Sequence, residues 1–259
     1  MKTTVLSLSA GICVLLFTPL TAIADDDETE FAEAHVFFEL NNTDGDLGIH
    51  ALIDGDPWKR MRIEDQNERK ILDVKVRGRL RRQGLTEIFF ESAEPTFDDL
   101  APEEFFDRFP AGTYDIEGVT LEGDELDSET EITHAMPAPP TVTSFDYDGD
   151  CDDDDFVEVS KPVTIAWNDV TRTHPDLGDP QDSTDINIVN YQVVVETELE
   201  IGGEEFASVL SVILPPGVTS MTIPDEFIDQ GEGEFKYEIL AREESYNQTA
   251  TESCFALDE

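Results

Sequence analysis

Positive charge is what this sequence has least of. Its 259 residues hold 16 Lys and Arg against 60 Asp and Glu, for a formal net charge of −44. A chain this acidic is repelled by nucleic acid and by anionic membrane, which excludes both as partners. Salt or divalent cations would screen the self-repulsion, so a saline habitat and calcium binding each account for the composition. Histidine is nearly as scarce. The four, His35, His50, His134 and His174, show no metal-ligand spacing such as H-x-x-x-H and read as surface or half-buried side chains. No G-x-S-x-G, P-loop or Rossmann glycine run is present, so nothing marks a nucleophile or a nucleotide site. Among 60 carboxylates some pair falls at a glycosidase-like separation by chance, and such pairs carry no weight. The chain reads as non-enzymatic.

Long apolar runs are missing too, with one exception. Lys2, the run Val5–Leu20 and the small-residue site Ala22-Ile23-Ala24 make residues 1–24 a secretory signal peptide. Nothing later approaches the ~20 apolar residues of a membrane span. The mature protein is therefore expected to be secreted or periplasmic, with no integral membrane segment. Cys13 lies inside the leader and does not resemble a lipidation site, which leaves Cys151 and Cys254. In an oxidising compartment a lone pair bridges. Closing a loop of this length adds up to ~4.7 kcal/mol in the chain-entropy model.

The few cations present are concentrated. Lys59–Arg82 (KRMRIEDQNERKILDVKVRGRLRR) holds ten of the fifteen Lys and Arg that follow the leader, against four acids. Met61 and Ile63 alternate with Arg60 and Arg62, and Leu72, Val74 and Val76 alternate with Asp73, Lys75 and Arg77. Period two on both sides of a polar loop predicts a hairpin. With Asp65 opposite Lys70, Ile63 meets Leu72 and Met61 meets Val74 on the inner face. Arg62 then faces Asp73, Arg60 faces Lys75 and Trp58 faces Arg77 outside, and a slip of one residue would expose the apolar set. Trp58, Arg60, Arg62, Lys75 and Arg77 form the candidate binding face, an aromatic beside cations. The plainer alternative is a hairpin whose outer face is blunted by charge.

Around the hairpin the chain alternates short strands and turns. Residues 25–33 form an acidic leader expected to be disordered. His35–Leu40, Ile49–Ile53 and Glu87–Glu91 read as strands, with Asn41–Gly48 and Asp54–Pro57 as turns. In Pro102–Phe109, Pro102 suits the first helical position, Glu103 and Glu104 suit the positive end of the dipole, and Pro110 ends the helix. Two turns are not stable alone, so this helix must pack on a sheet. Gly112–Leu121 and Thr130–His134 complete residues 34–137 as an immunoglobulin-like antiparallel sandwich. Ala135–Pro140 (AMPAPP) reads as a stiff linker.

From about residue 138 to 259 the chain resembles a fibronectin type III domain. The residues that carry this are Trp167 in PVTIAW, Tyr191 in IVNYQVVV, and Phe235, Ile239 and Ala241 in FKYEILA. Phe235 replaces the family's usual tyrosine and so lacks its hydroxyl. The resemblance implies a second β-sandwich in tandem with the first, giving an all-β chain, and a binding or spacer role without chemistry. It also places Cys151 and Cys254 at one pole, with the loops Thr171–Asp185 and Glu243–Thr249 pointing toward the first domain.

The densest acidic stretch, Asp146–Asp155, has seven Asp in ten residues. Alternating Asp146, Asp148, Asp150 and Asp152 can bring oxygens to one hard cation, which makes Ca²⁺ the cofactor to test. Cys151 stands where an EF-hand needs Gly, and a solvated acidic loop explains the stretch equally. Asn42, Asp44 and Asp46, with Asp54 and Asp56, form a second candidate that turn chemistry also explains, as do the acids of Thr171–Asp185. Sequons occur at Asn41 and Asn247 and matter only in a glycosylating pathway. The expected function is an exported, non-catalytic binding or adhesion protein for a protein or glycan surface, supported by calcium. The alternatives are a structural protein self-assembling through its basic hairpin and acidic loops, and an accessory of a glycan-active enzyme.

Overall fold

The computed structural model describes residues 29–145, 151, 156–178, 184–231 and 233–258. Asp146, Asp148, Asp150 and Asp152, and residues 1–24, expected as a signal peptide, lie outside these. The protein is all-β. Its first half contains β1 (Glu33–Asn41), β2 (Asp46–Glu64), β3 (Lys70–Lys75), β4 (Leu85–Glu91), helix α1 (Pro102–Arg108), β5 (Gly112–Thr120) and β6 (Glu125–Ile132). The second half contains β7 (Val157–Val159), β8 (Thr164–Ala166), β9 (Ile188–Ile201), β10 (Glu204–Leu214), β11 (Ser220–Thr222), the short helix α2 (Asp225–Ile228), β12 (Glu234–Glu243) and β13 (Gln248–Leu257).

One sheet runs through both halves, in the order β10-β9-β12-β13-β1-β2-β5-β6, with β3 and β4 on β2 and β7 on β13; β8 and β11 form a second, small sheet. The join is β1 against β13, parallel, pairing Glu39–Asn41 with Gln248–Ala250. The two expected sandwiches thus share a sheet, while each keeps its own apolar core. The first core gathers Phe38, Leu40, Ile53, Trp58, Met61, Ile63 and Ile116 with Phe105 and Phe106 of α1. The second gathers Trp167, Tyr191, Phe235, Tyr237, Ile239 and Phe255. The packing positions implied by the fibronectin type III resemblance are all buried, and Trp167 meets Tyr191 edge-on with ring centroids 5.4 Å apart.

Strand β2 is one long, bent strand. Its first part pairs with β1 and β4 and its second with β3 and β5. Asp54–Pro57, expected as a turn, is instead the bend. The hairpin register follows the alternation, with Arg60↔Lys75, Met61↔Val74, Arg62↔Asp73 and Ile63↔Leu72, and an irregularity then places Lys70 opposite Glu64. The described part of the acidic leader, expected to be disordered, is ordered, with Thr29 bridging Leu126. Phe31 anchors it by filling the space that Gly118 and Gly55 leave open, where an added Cβ would come within 2.7 and 2.9 Å of its ring.

The segment expected as a stiff linker is wedged between the halves. Met136 is fully buried in the first core, Pro137 bridges Thr173, and the Thr249 hydroxyl donates to the Pro137 carbonyl at 2.8 Å. Both loops assigned to the first domain's side do reach it. His174 Nε2 lies 3.1 Å from Asn42 Oδ1, and Leu177 joins the first core. Asn247, with no exposed surface, accepts the Phe38 amide at 2.9 Å and donates to the Thr133 carbonyl at 2.9 Å.

Candidate functional site

The basic hairpin builds a cleft. Residues Lys59, Arg60, Lys75, Val76, Arg77, Arg81 and Val119 enclose about 320 Å³ between β2, β3, β5 and the turn at Leu80–Arg82. Antiparallel pairing of Arg60 with Lys75 sets two cations side by side, an arrangement that is destabilising unless a counter-charge is near. Asp73 supplies one. Its carboxylate receives Arg60 through Nε at 3.2 Å and Nη2 at 2.8 Å, and this hydrogen bond holds the Asp73 pKa below the ordinary carboxylate range. Lys59, Lys75, Arg77 and Arg81 make no ion pair among the described residues. Such a cleft has one chemical capacity, which is to hold closely spaced anionic oxygens.

The sequence-predicted face is thus partly assembled. Arg60, Lys75 and Arg77 meet in the cleft. Arg62 is drawn aside, with its Nε 2.7 Å from Glu117 Oε2, and it lines a neighbouring cleft of about 300 Å³ with Glu117, Glu125 and Asp127. Trp58 is not on the face at all; it is fully buried, opposite Leu85 and Thr120. Register shifts on both sides of Trp58 break the strict alternation and turn the indole inward with Met61 and Ile63. Lys59 and Arg81 were missed as lining residues. Both stand in the same basic run, and only the fold-back of Leu80–Arg82 brings Arg81 to the cleft. Among the described residues neither acidic loop closes over it, since Thr171–Leu177 and Glu243–Thr249 dock on Asn42 and Thr133 instead.

A second cluster lies on the face of the shared sheet away from the cores. His50 is buried, with Nε2 2.8 Å from Glu94 Oε1 and Nδ1 3.6 Å from Glu39 Oε2. Burial alone would lower the imidazole pKa, but the Glu94 hydrogen bond and the charges of Glu39, Glu94 and Glu91 outweigh it and hold it above the ordinary value. Burial also raises Glu39. Ligand atoms of His50, Glu91 and Glu94 lie within 4.8 Å of one another, so these three are the described residues that could hold a metal ion. Further along the same face Glu238 stands directly across from Glu252. Burial, then the neighbouring Glu252 carboxyl, pushes Glu238 up to about 8, and Glu252 is raised as well. Cys151 lines the small cavity over this pair, held there by its disulfide to Cys254 with Cα atoms 5.9 Å apart. The spacing of the histidines gave no hint of the first cluster, because its members come from β1, β2, β4 and the loop after it.

The chain matches no protein-family model and no curated protein. Solved structures align along most of it, but loosely. It is similar to the fibronectin(III)-like modules of Clostridium thermocellum CbhA, with a TM-score of 0.28 and 9% identity over 88% of this chain and 93% of that one. It is similar to a tetra-tandem repeat in the extending region of a large adhesion protein, with a TM-score of 0.26 and 13% identity over 87% and 50%. It is also similar to SGBP-B of the Bacteroides ovatus mixed-linkage glucan utilization locus, with a TM-score of 0.22 and 12% identity over 91% and 46%. The chain spans about half the length of the last two. At these TM-scores no site and no activity carries over from them. None of its helices is long and apolar enough to cross a membrane among the described residues.

Proposed function

We propose that this is an exported, non-catalytic binding protein that grips an anionic partner in the cleft between β2, β3 and β5. One observation carries the reading. A chain with a net charge of −44 gathers five cations, Lys59, Arg60, Lys75, Arg77 and Arg81, around a single cleft of about 320 Å³. An exposed ion pair is worth only about 0–1 kcal/mol, so scattered cations would bind little. Several converging on one concavity focus the field and recruit an anionic ligand against the repulsion of the rest of the chain. The ligand chemistry is a row of carboxylates or sulfates, as on an acidic polysaccharide or an acidic protein surface.

The test compares the wild type with Lys75→Glu/Arg77→Glu, both sites being exposed, on immobilised heparin, polygalacturonate, polyglutamate and neutral dextran. Binding to at least one polyanion is expected, at least about tenfold weaker in the variant and weaker again when salt shortens the screening length from about 10 Å at 0.1 M to about 3 Å at 1 M. Polyglutamate against the two polysaccharides separates a protein partner from a glycan. No polyanion bound, or equal binding by the variant, ends the proposal.

A further inference from the structure

Strand β10 is built like an interior strand and stands at an edge. It pairs with β9 along its whole length, Glu204↔Ile201 through Leu214↔Tyr191, without a register shift. It ends the order of the large sheet, so its other side faces no strand among the described residues. Edge strands are normally blunted with Lys, Pro, bulges or short length. This one has 11 residues and none of these within it. Its core-facing side carries Leu210 and Leu214, which pack on the second core. Its opposite side carries Val209 and Ile213, which are 53% and 62% exposed, and Phe206 near its start is 46% exposed. Apolar residues on both faces are the pattern of a strand covered on both, and a strand added at its free edge would shelter Val209 and Ile213 on that side.

Charge identifies what flanks it. Phe206–Pro224 contains no charged residue, in a chain where charged residues make up 29% of the whole. Outside the basic cleft and this uncharged stretch, a second copy of this acidic chain meets like charge. A two-fold axis near Leu210 would pair 206–214 with itself antiparallel. Glu204 and Glu205 would then lie opposite the partner's Pro216 and the partner's Pro215, so no acid on the strand meets an acid. The acids of β9, such as Glu196 and Glu198, sit three strand spacings from the partner's β9, about 14 Å, which exceeds the screening length at physiological salt, about 8 Å.

We infer that β10 is a self-association edge, and that two copies join through antiparallel β10–β10 pairing into one continuous sheet. This assembly does not involve the basic cleft, and its salt dependence has the opposite sign. Salt relieves repulsion between two acidic copies and so strengthens β10 pairing, whereas it weakens anything held in the cleft.

Sedimentation of the disulfide-bonded chain at low and high salt tests this, using wild type, Val209→Lys/Ile213→Lys, Val209→Glu/Ile213→Glu and the cleft variant Lys75→Glu/Arg77→Glu. Wild type should dimerise, more so at high salt. Both β10 variants should remain monomeric at concentrations at least about tenfold higher, with unchanged circular dichroism, since the two side chains project into solvent in the monomer. The cleft variant should dimerise as wild type does. A wild type that stays monomeric at both salts overturns the inference, whatever foreign strand the edge then takes. So does a dimer that either β10 variant retains, or one that only the cleft variant abolishes.

Discussion

Asn247 ties the two halves together through a single side chain. Its Oδ1 accepts the Phe38 amide of β1, and its Nδ2 donates to the Thr133 carbonyl and reaches the Thr133 hydroxyl at 3.1 Å. The Phe38 amide is buried and the Thr133 carbonyl half-buried, so removing the side-chain amide leaves both without this partner, at up to about 1–3 kcal/mol for each. Asn247→Ala is therefore expected to destabilise by roughly 2–4 kcal/mol, which in a chain of this size lowers Tm by about 5–12 °C. Asn247→Asp keeps the acceptor, loses the donor and buries a charge, and it should do no better. A melting curve within about 1 °C of wild type for either variant would show that the junction does not depend on these bonds. The burial also means that the sequon at Asn247 is closed to modification once the chain has folded.

At the scale of the element, the hairpin β2–β3 turns on Asp65. This residue is buried, and its Oδ1 accepts the Asn67 amide at 2.8 Å and the Arg69 amide at 2.9 Å, while its own amide donates to the Arg69 carbonyl at 2.8 Å. The side chain holds the turn closed while Glu68 takes a left-handed φ of 58°. Asp65→Ala should cost about 1–2 kcal/mol, like the loss of a helix cap that satisfies the same kind of donor. It should also raise amide exchange in Gln66–Lys70 before the rest of the sheet. Exchange that is unchanged there would show that strand pairing alone sets the turn. The hairpin was the part of the fold most legible in the sequence, because period-two alternation fixes both register and inner face. Helix α1 was legible from Pro102, Glu103 and Glu104, and the buried Trp167, Tyr191 and Phe235 from their motifs. Trp58 was misread because the irregularities beside it shift the alternation by one, and a bulge leaves no mark on a hydrophobic pattern. The join of β1 to β13 was illegible for a different reason. It brings together residues some 209 positions apart, Glu39 and Gln248 among them, and local periodicity says nothing about which strand an edge will meet. The histidine cluster draws on β1, β2, β4 and the loop after it, and the carboxylate pair on β12 and β13, so each depends on which strands pair, which local periodicity does not show.

At the scale of the whole molecule, the perturbed acids of the shared face all push stability the same way with pH. Glu238 holds its proton up to about 8, and Asp46, through burial and then the charges of Glu94, Asp44 and Glu252, up to about 6. Glu39 and Glu252 are raised too, and His50 stays protonated above its ordinary value. Unfolded, the carboxyls would lose their protons near pH 4 and the imidazole near 6.5. Between those values and the raised folded ones, the native chain binds protons that the unfolded chain has released. Stability must therefore fall as pH rises through that window. The lowered carboxyl of Asp73 works in the opposite sense, and its contribution is lost only as pH falls below about 4. A displacement of one pH unit corresponds to about 1.4 kcal/mol, and 1 kcal/mol to about 2–4 °C in Tm. The melting temperature is thus expected to drop by several degrees from pH 5 to pH 8, and Glu238→Gln should flatten that drop and melt above wild type at pH 8. The pH 8 state, with its carboxylates bare, is also where a divalent cation has most to neutralise. Calcium at matched ionic strength should restore more of the lost Tm than sodium if Asp146–Asp152 or the pair Glu238 and Glu252 coordinate it. Equal recovery in the two salts would reduce calcium to general screening. A Tm that is flat or rising between pH 5 and pH 8 would refute the proton-holding role of the shared face itself.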